Sequence, residues 1–329
     1  MLTAIRFFCE DHVMNLQTSA NAILCMVLFN ASTFGNDAKS AYPQSIPFPK
    51  DAAPVYKLHE LLARDNVKLA VHHWTPPKGG PKKPVVILLH GIGMHGEPYA
   101  SIAAGFTAQQ MTLIVPDLRG HGRSGGTRGR LADASVLRSD LGEIMGFANC
   151  RHPDAPVFLA GESMGGLLAA DYAAKRERRL AGLILLAPAF KVHDSQIDLG
   201  GIGDFFKGKT ALATDKKLKP STRVQGFIDA RRKDARALPE VDSSYLTALG
   251  LRQLEWPANA SLVKQPLFVG VAGQDTIVNS KTAKTVFDQA GSPKDSKRWV
   301  EWTDARHTIC WDPLTPSIFE DLTRWINER

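Results

Sequence analysis

Three side chains of the right types and in a suggestive order open the question of nucleophilic catalysis. They are a serine inside Gly161-Glu162-Ser163-Met164-Gly165, then Asp275, then His307. A serine hydroxyl is a weak nucleophile until a base takes its proton, and the base needs a carboxylate to orient it. The Gly-x-Ser-x-Gly spacing provides the local geometry. The apolar run 156–160 reads as a buried strand, and an Ala/Leu-rich segment with helical spacing opens directly after Ser163. A turn that lifts a hydroxyl clear of the sheet strains its backbone, and side chains at the flanking positions would collide. The helix beyond it aims unpaired N–H groups and a positive dipole end at the place where an oxyanion would form. Ser163 is therefore the candidate nucleophile, and the Met164 N–H is one candidate oxyanion donor. The bland alternative is a structural turn with an inert serine.

The other two members follow from order and spacing. Residues 266–271 form another apolar run, and Ala272-Gly273-Gln274-Asp275 leaves it, placing Asp275 at the carboxyl end of a strand. Asp275 is the candidate orienting carboxylate; a turn or capping aspartate before a helix at 280–289 is the competing use. Of the ten histidines only His307 lies beyond Asp275. In a serine, acid, histidine chain order, it alone can be the base. Asp304 is a rival carboxylate, although three residues from His307 it reads better as a local turn partner.

These residues need a scaffold, and the hydropathy pattern outlines one. A hairpin is expected over 59–72, turning at Asp65-Asn66. The continuous apolar runs at 84–89, 112–115, 157–160, 183–186 and 266–271 are those of strands covered on both faces. Helical segments near 99–109, 134–148 and 280–289 alternate with them. That alternation predicts an α/β protein with a mostly parallel, doubly wound sheet.

The ordered set of motifs carries a resemblance. His90-Gly91-Ile92-Gly93, the loop from Asp117 through Arg119-Gly120-His121-Gly122 to Ser124, Gly161 to Gly166, Gly273-Gln274-Asp275 and His307 together resemble the α/β-hydrolases. Among these the chain is similar to the monoglyceride lipase and lysophospholipase branch, also called serine aminopeptidase-like hydrolases, over about 55–329. The resemblance implies an α/β-hydrolase fold with a helical lid insertion and no cofactor or metal. It implies the Ile92 N–H as the second oxyanion donor. It also implies hydrolysis of a small-molecule or lipid ester, of monoacylglycerol or lysophospholipid type, through an acyl-enzyme on Ser163. Two departures stand out. Glu162 occupies a position where many relatives carry histidine, and a long basic insertion follows the strand ending at Leu186. An aminopeptidase or amidase with the same triad is the alternative, with Glu162 as its one suggestive residue; a non-catalytic ligand-binding scaffold is another. Dehalogenases and epoxide hydrolases of this fold use an aspartate at the elbow, which Ser163 disfavours.

Outside the motifs, residues 1–54 differ from the rest. The apolar stretch 22–29 is too short to span a bilayer and suits a secretory signal, with a start at Met14 leaving an uncharged leader. That reading makes the protein exported; a loosely docked extension on a cytoplasmic protein is the alternative. Prolines 43, 47, 49 and 54 make an extended linker. The segment 190–263 is expected to form a lid. Its Lys207, Lys209, Lys216, Lys217, Lys219, Arg223, Arg231, Arg232, Lys233 and Arg236 make either a solvated face or a surface for anionic membrane. Its Phe205, Phe206, Phe227, Tyr245 and Leu246 would supply apolar contacts. A net charge of +7 with no nucleic-acid-binding signature gives no reason to expect a nucleic-acid partner. Four dispersed cysteines exclude a disulfide framework and leave one Cys150–Cys310 bridge open. His90 and His121 are expected to brace loops, and His95 to lie at the pocket mouth.

Overall fold

The computed structural model describes residues 8–9, 12–13, 42–43, 53–78, 82–131, 133–175, 180–193, 211–214 and 218–329. The expectations for a secretory leader, for Phe205 and Phe206 and for Lys207, Lys209, Lys216 and Lys217 fall outside those residues.

An eight-stranded sheet organises the chain. Its strands are β1 (Val55–Leu62), β2 (Lys68–Thr75), β3 (Val85–Leu89), β4 (Thr112–Pro116), β5 (Val157–Glu162), β6 (Gly182–Leu186), β9 (Leu267–Ala272) and β10 (Lys297–Trp302), once β7 (Ala211–Ala213) and β8 (Glu240–Asp242) are counted as a separate two-stranded pair. The spatial order is β10-β9-β6-β5-β3-β4-β2-β1. Within this sheet β1, β2 and β4 pair antiparallel, and every other pairing is parallel. The β1–β2 hairpin turns where expected, with Asn66 at φ 61°.

The apolar runs divide their side chains between two layers. Val85, Ile87 and Leu89 of β3 enter one core with Leu159, Leu167 and Leu185, while Val86 and Leu88 enter another with Phe158, Ile184 and Trp325. Helices α2 (Ser135–Arg151) and α3 (Met164–Lys175) contribute Leu141 and Leu167 to the first core. Helices α1 (Ala100–Ala108) and α8 (Thr315–Asn327) contribute Phe106 and Trp325 to the second. A sheet buried on both faces leaves the strand ends as the place for chemistry.

The segment 190–263 contains the β7–β8 pair and helices α4 (Leu218–Ser221), α5 (Gln225–Lys233) and α6 (Ser243–Leu254). One expectation about it changes. Arg231, assigned to a basic surface, is only 3% exposed; its Nη2 donates to the carbonyls of Gly93 and Leu238 and to Thr214 Oγ1. Phe227 and Tyr245 supply apolar contacts as expected, buried in packing on Trp311 and His121. Helix α7 is Ser280–Gln289, as expected. Cys150 and Cys310 are both free thiols, so no bridge joins them.

Candidate active site

Ser163 sits in the sharp turn between β5 and α3 with φ 56°, a left-handed conformation that costs a non-glycine residue about 1–3 kcal/mol. The surrounding backbone imposes it. The Ser163 N–H donates to the Leu186 carbonyl at 2.9 Å, and its carbonyl accepts from Leu167 and Ala189 N–H groups at 3.2 and 2.9 Å. The motif glycines are steric necessities. A Cβ on Gly161 would lie 2.1 Å from the Gly165 carbonyl oxygen, and one on Gly165 would lie 2.1 Å from that of Leu89.

The chain brings the three expected side chains together. His307 Nε2 accepts from the Ser163 hydroxyl at 2.9 Å, and its Nδ1–H donates to Asp275 Oδ2 at 2.8 Å. Asp275 Oδ1 accepts from the Ile277 and Val278 N–H groups at 2.8 and 3.0 Å, so the carboxylate is fixed by its own loop. Capping of α7, its competing use, falls instead to Asn279. Asp304 is exposed, and its carbonyl accepts from Arg223 at 2.7 Å. The two loops are tied by Gly273 N–H to Trp302 and Gln274 N–H to Ala305, at 2.9 and 3.0 Å.

Electrostatics favour charge separation within the triad. Burial works against a protonated His307, but the Asp275 charge and hydrogen bond, with help from Glu162, outweigh it and raise the imidazole above its ordinary value. Burial likewise works against ionised Asp275, yet His307 and the two backbone donors hold the carboxyl below its usual range. Both shifts describe one stabilised pair.

The loop after β3 lies beside the nucleophile, with a Cβ position on Gly91 3.6 Å from Ser163 Cβ. Its amides are unequally occupied. Gly93 N–H donates to His121 Nε2 at 3.4 Å. Among the described residues no acceptor pairs with the N–H of Ile92 or of Met164. These two amides remain available to an oxyanion.

The loop is heavily braced. His90 Nε2 accepts from Leu118 N–H at 3.0 Å while its Nδ1–H donates to Gly91 O; His121 Nδ1–H donates to Arg119 O. Burial lowers these imidazoles to about 4 and about 3, keeping both neutral. Asp117 accepts from Gly96 and Arg123 N–H at 2.6 and 2.7 Å. His95 is not at a pocket mouth: it is fully buried, with Nε2 2.7 Å from Asp234 Oδ2 at the end of α5. Glu162 is also buried, with both carboxylate oxygens already accepting hydrogen bonds. The roles of Arg231, Tyr99 and Cys310 were missed, because no local pattern marks partners so distant in sequence.

A strand–elbow–helix serine, a histidine base and a strand-end aspartate on this sheet define the α/β-hydrolase class. Comparisons with known proteins agree. The family profile Hydrolase_4, described as serine aminopeptidase, S33, matches residues 80–313. The chain is 32% identical to human monoglyceride lipase over 317 residues, covering 87% of this chain and 93% of that protein. It is 28% identical to the monoacylglycerol lipase of Mycolicibacterium smegmatis over 284 residues, 82% and 96% of the two chains. In fold it is similar to a soluble variant of the Saccharomyces cerevisiae monoglyceride lipase, with TM-score 0.73 at 18% identity over 86% of this chain and 99% of that one. The Paleococcus ferrophilus monoacylglycerol lipase gives 0.67 at 20% identity over 79% and 97%. The chain belongs to the Hydrolase_4 (serine aminopeptidase, S33) family, and it is a serine ester hydrolase.

Proposed function

We propose that this chain hydrolyses monoacylglycerols or closely related single-chain esters through an acyl-enzyme on Ser163. The observation that carries the chemistry is the Ser163–His307–Asp275 hydrogen-bonded line beside two unengaged amides. Ser163 Oγ attacks the ester carbonyl as its proton passes to His307 Nε2, and Asp275 stabilises the imidazolium. The C=O electron pair moves to oxygen, held by the Ile92 and Met164 N–H groups. Collapse breaks the C–O bond, the His307 proton leaves with the alcohol, and water repeats the sequence to release the carboxylic acid.

The substrate class is supported by the two monoacylglycerol-cleaving relatives, each matched along nearly its full length. Glu162 lends no support to an aminopeptidase, since its carboxylate is buried and hydrogen-bonded rather than open to a substrate amine. The segment 190–263 acts as the lid in this reading. It touches both catalytic loops, through Arg231 to Gly93 and through the Ser221 carbonyl, which accepts from Thr308 N–H at 2.8 Å. Contact with an anionic membrane would fall to Arg232 and Lys233, which are exposed on α5, and not to Arg231.

The test is a panel of p-nitrophenyl acetate, medium- and long-chain monoacylglycerols, lysophospholipids and aminoacyl amides. The expected order places monoacylglycerols first, each buried CH₂ of the acyl chain adding about 0.8 kcal/mol of binding. A higher kcat/KM on aminoacyl amides would replace the ester reading. Equal efficiency on acetate and long-chain esters would remove the lipid one. Undiminished binding of Arg232→Glu/Lys233→Glu to phosphatidylglycerol vesicles would remove the membrane role.

A further inference from the structure

Glu162 is a buried carboxylate with no task in the steps above. Strand alternation decides its direction. In β5, Phe158 and Ala160 belong to the core on the α1 and α8 side, and Glu162 follows in the same phase. Only 3% of it is exposed. An ionised carboxylate set among apolar side chains costs several kcal/mol unless it is paired or hydrogen-bonded.

Its oxygens are met by donors. The Cys310 backbone N–H donates to Oε1 at 3.0 Å, and the Tyr99 hydroxyl donates to Oε2 at 2.9 Å. The Tyr99 N–H in turn donates to the Gly96 carbonyl at 3.1 Å, which ties the phenol to the loop after β3. A protonated carboxyl would need an acceptor, whereas an amide and a hydroxyl aimed at its two oxygens suit the ionised form.

Each partner belongs to a different piece of the site. Tyr99 closes the loop that follows β3 and carries Ile92, and Glu162 is covalently next to Ser163. Cys310 lies in the turn Ile309–Trp311, whose first N–H donates to the His307 carbonyl at 2.9 Å. We propose that Glu162 is a positioning residue for the hydrolysis. Its ionised carboxylate holds the oxyanion loop, the elbow and the His307 loop in register. As a negative charge next in sequence to Ser163 and hydrogen-bonded to Cys310, three residues beyond His307, it also favours the imidazolium formed when Ser163 attacks. The groups facing it are Tyr99, Cys310 and His307, with Asp275 hydrogen-bonded to the other side of the triad imidazole. Burial raises the Glu162 carboxyl above its usual range, the Cys310 and Tyr99 bonds offsetting only part of that rise, and its charge adds to the upward pressure on His307.

The proposal rests on the assignment of Ser163, His307 and Asp275 as the catalytic set. Glu162→Gln keeps the shape and removes the charge. It is expected to lower kcat about 5- to 30-fold with KM within about twofold, because the lost interaction matters once imidazolium forms. The acid limb of kcat/KM should move down by roughly 0.5 to 1 pH unit, since a neutral neighbour no longer favours protonated His307. A merely structural brace would leave that limb in place, and an unmoved limb or an unaltered kcat overturns the proposal. Should Glu162→Gln not fold, Tyr99→Phe keeps the ring and removes one donor from the carboxylate. It should cut kcat about three- to tenfold at unchanged KM, and a kcat within twofold of the unmodified enzyme overturns the proposal. Ser163→Ala separates the two levels. If it is inactive while Glu162→Gln matches the unmodified enzyme, this inference alone fails; if it remains active, the catalytic assignment fails and takes the inference with it.

Discussion

At the residue scale, the orienting carboxylate decides between two nearby aspartates. Asp275 Oδ2 lies 2.8 Å from His307 Nδ1, whereas Asp304 is exposed and contributes only its carbonyl to Arg223. Asp275→Asn should therefore lower kcat by about 10⁴, roughly 5.5 kcal/mol of transition-state stabilisation, because the amide favours the wrong imidazole tautomer. Asp304→Asn should stay within about twofold. Steady-state kinetics on both variants checks this, and the reverse outcome would move the acid to Asp304. Ser163, Asp275 and His307 were legible because chain order and strand-end position constrain them without knowledge of contacts. Glu162 was legible only as an oddity. What makes it intelligible is donation from Tyr99 and Cys310, 63 and 148 residues away. No spacing rule reaches across such separations.

At the scale of elements, the apolar strands were readable because burial on both faces leaves a continuous run such as 85–89. The segment 190–263 was less readable. A cluster of lysines and arginines looks the same whether it faces water or, as with Arg231, turns inward onto carbonyls of another loop. A second inward cluster joins β1, β2 and the end of α2. His73 Nδ1 lies 3.3 Å from His59 Nε2, and His73 Nε2 lies 2.9 Å from His152 Nε2, beside Phe147 and Arg151. Burial, with Arg151 and Lys57 nearby, lowers His59 to about 4; burial and its two histidine neighbours hold His73 well below its ordinary value. Burial, then Arg151, also lowers His152. The unfolded chain thus binds protons below about pH 6.5 that the folded chain refuses, so stability is full above that pH and is lost as pH falls through the window towards 4. The thermal midpoint should fall by about 5–10 °C between pH 7 and pH 5. His73→Gln, which can hydrogen-bond without titrating, should flatten that slope. Equal midpoints at the two pH values in the unmodified protein would exclude these histidines as its source.

At the scale of the whole molecule, one sheet serves both stability and chemistry. Its two buried faces carry the core, and its strand ends present the elbow after β5, the aspartate after β9 and the histidine after β10 to one point. The family profile spans this same arrangement. The alternating pattern announced a mostly parallel sheet, while the order β10-β9-β6-β5-β3-β4-β2-β1 depends on crossovers that hydropathy does not encode. The central claim is that this assembly activates one serine. Reaction of the intact protein with a fluorophosphonate, followed by intact-mass measurement and peptide mapping, tests it most directly. The account predicts one adduct per chain, on Ser163, absent from Ser163→Ala and formed far more slowly in His307→Ala. An adduct on another residue, or none on folded protein, would contradict it.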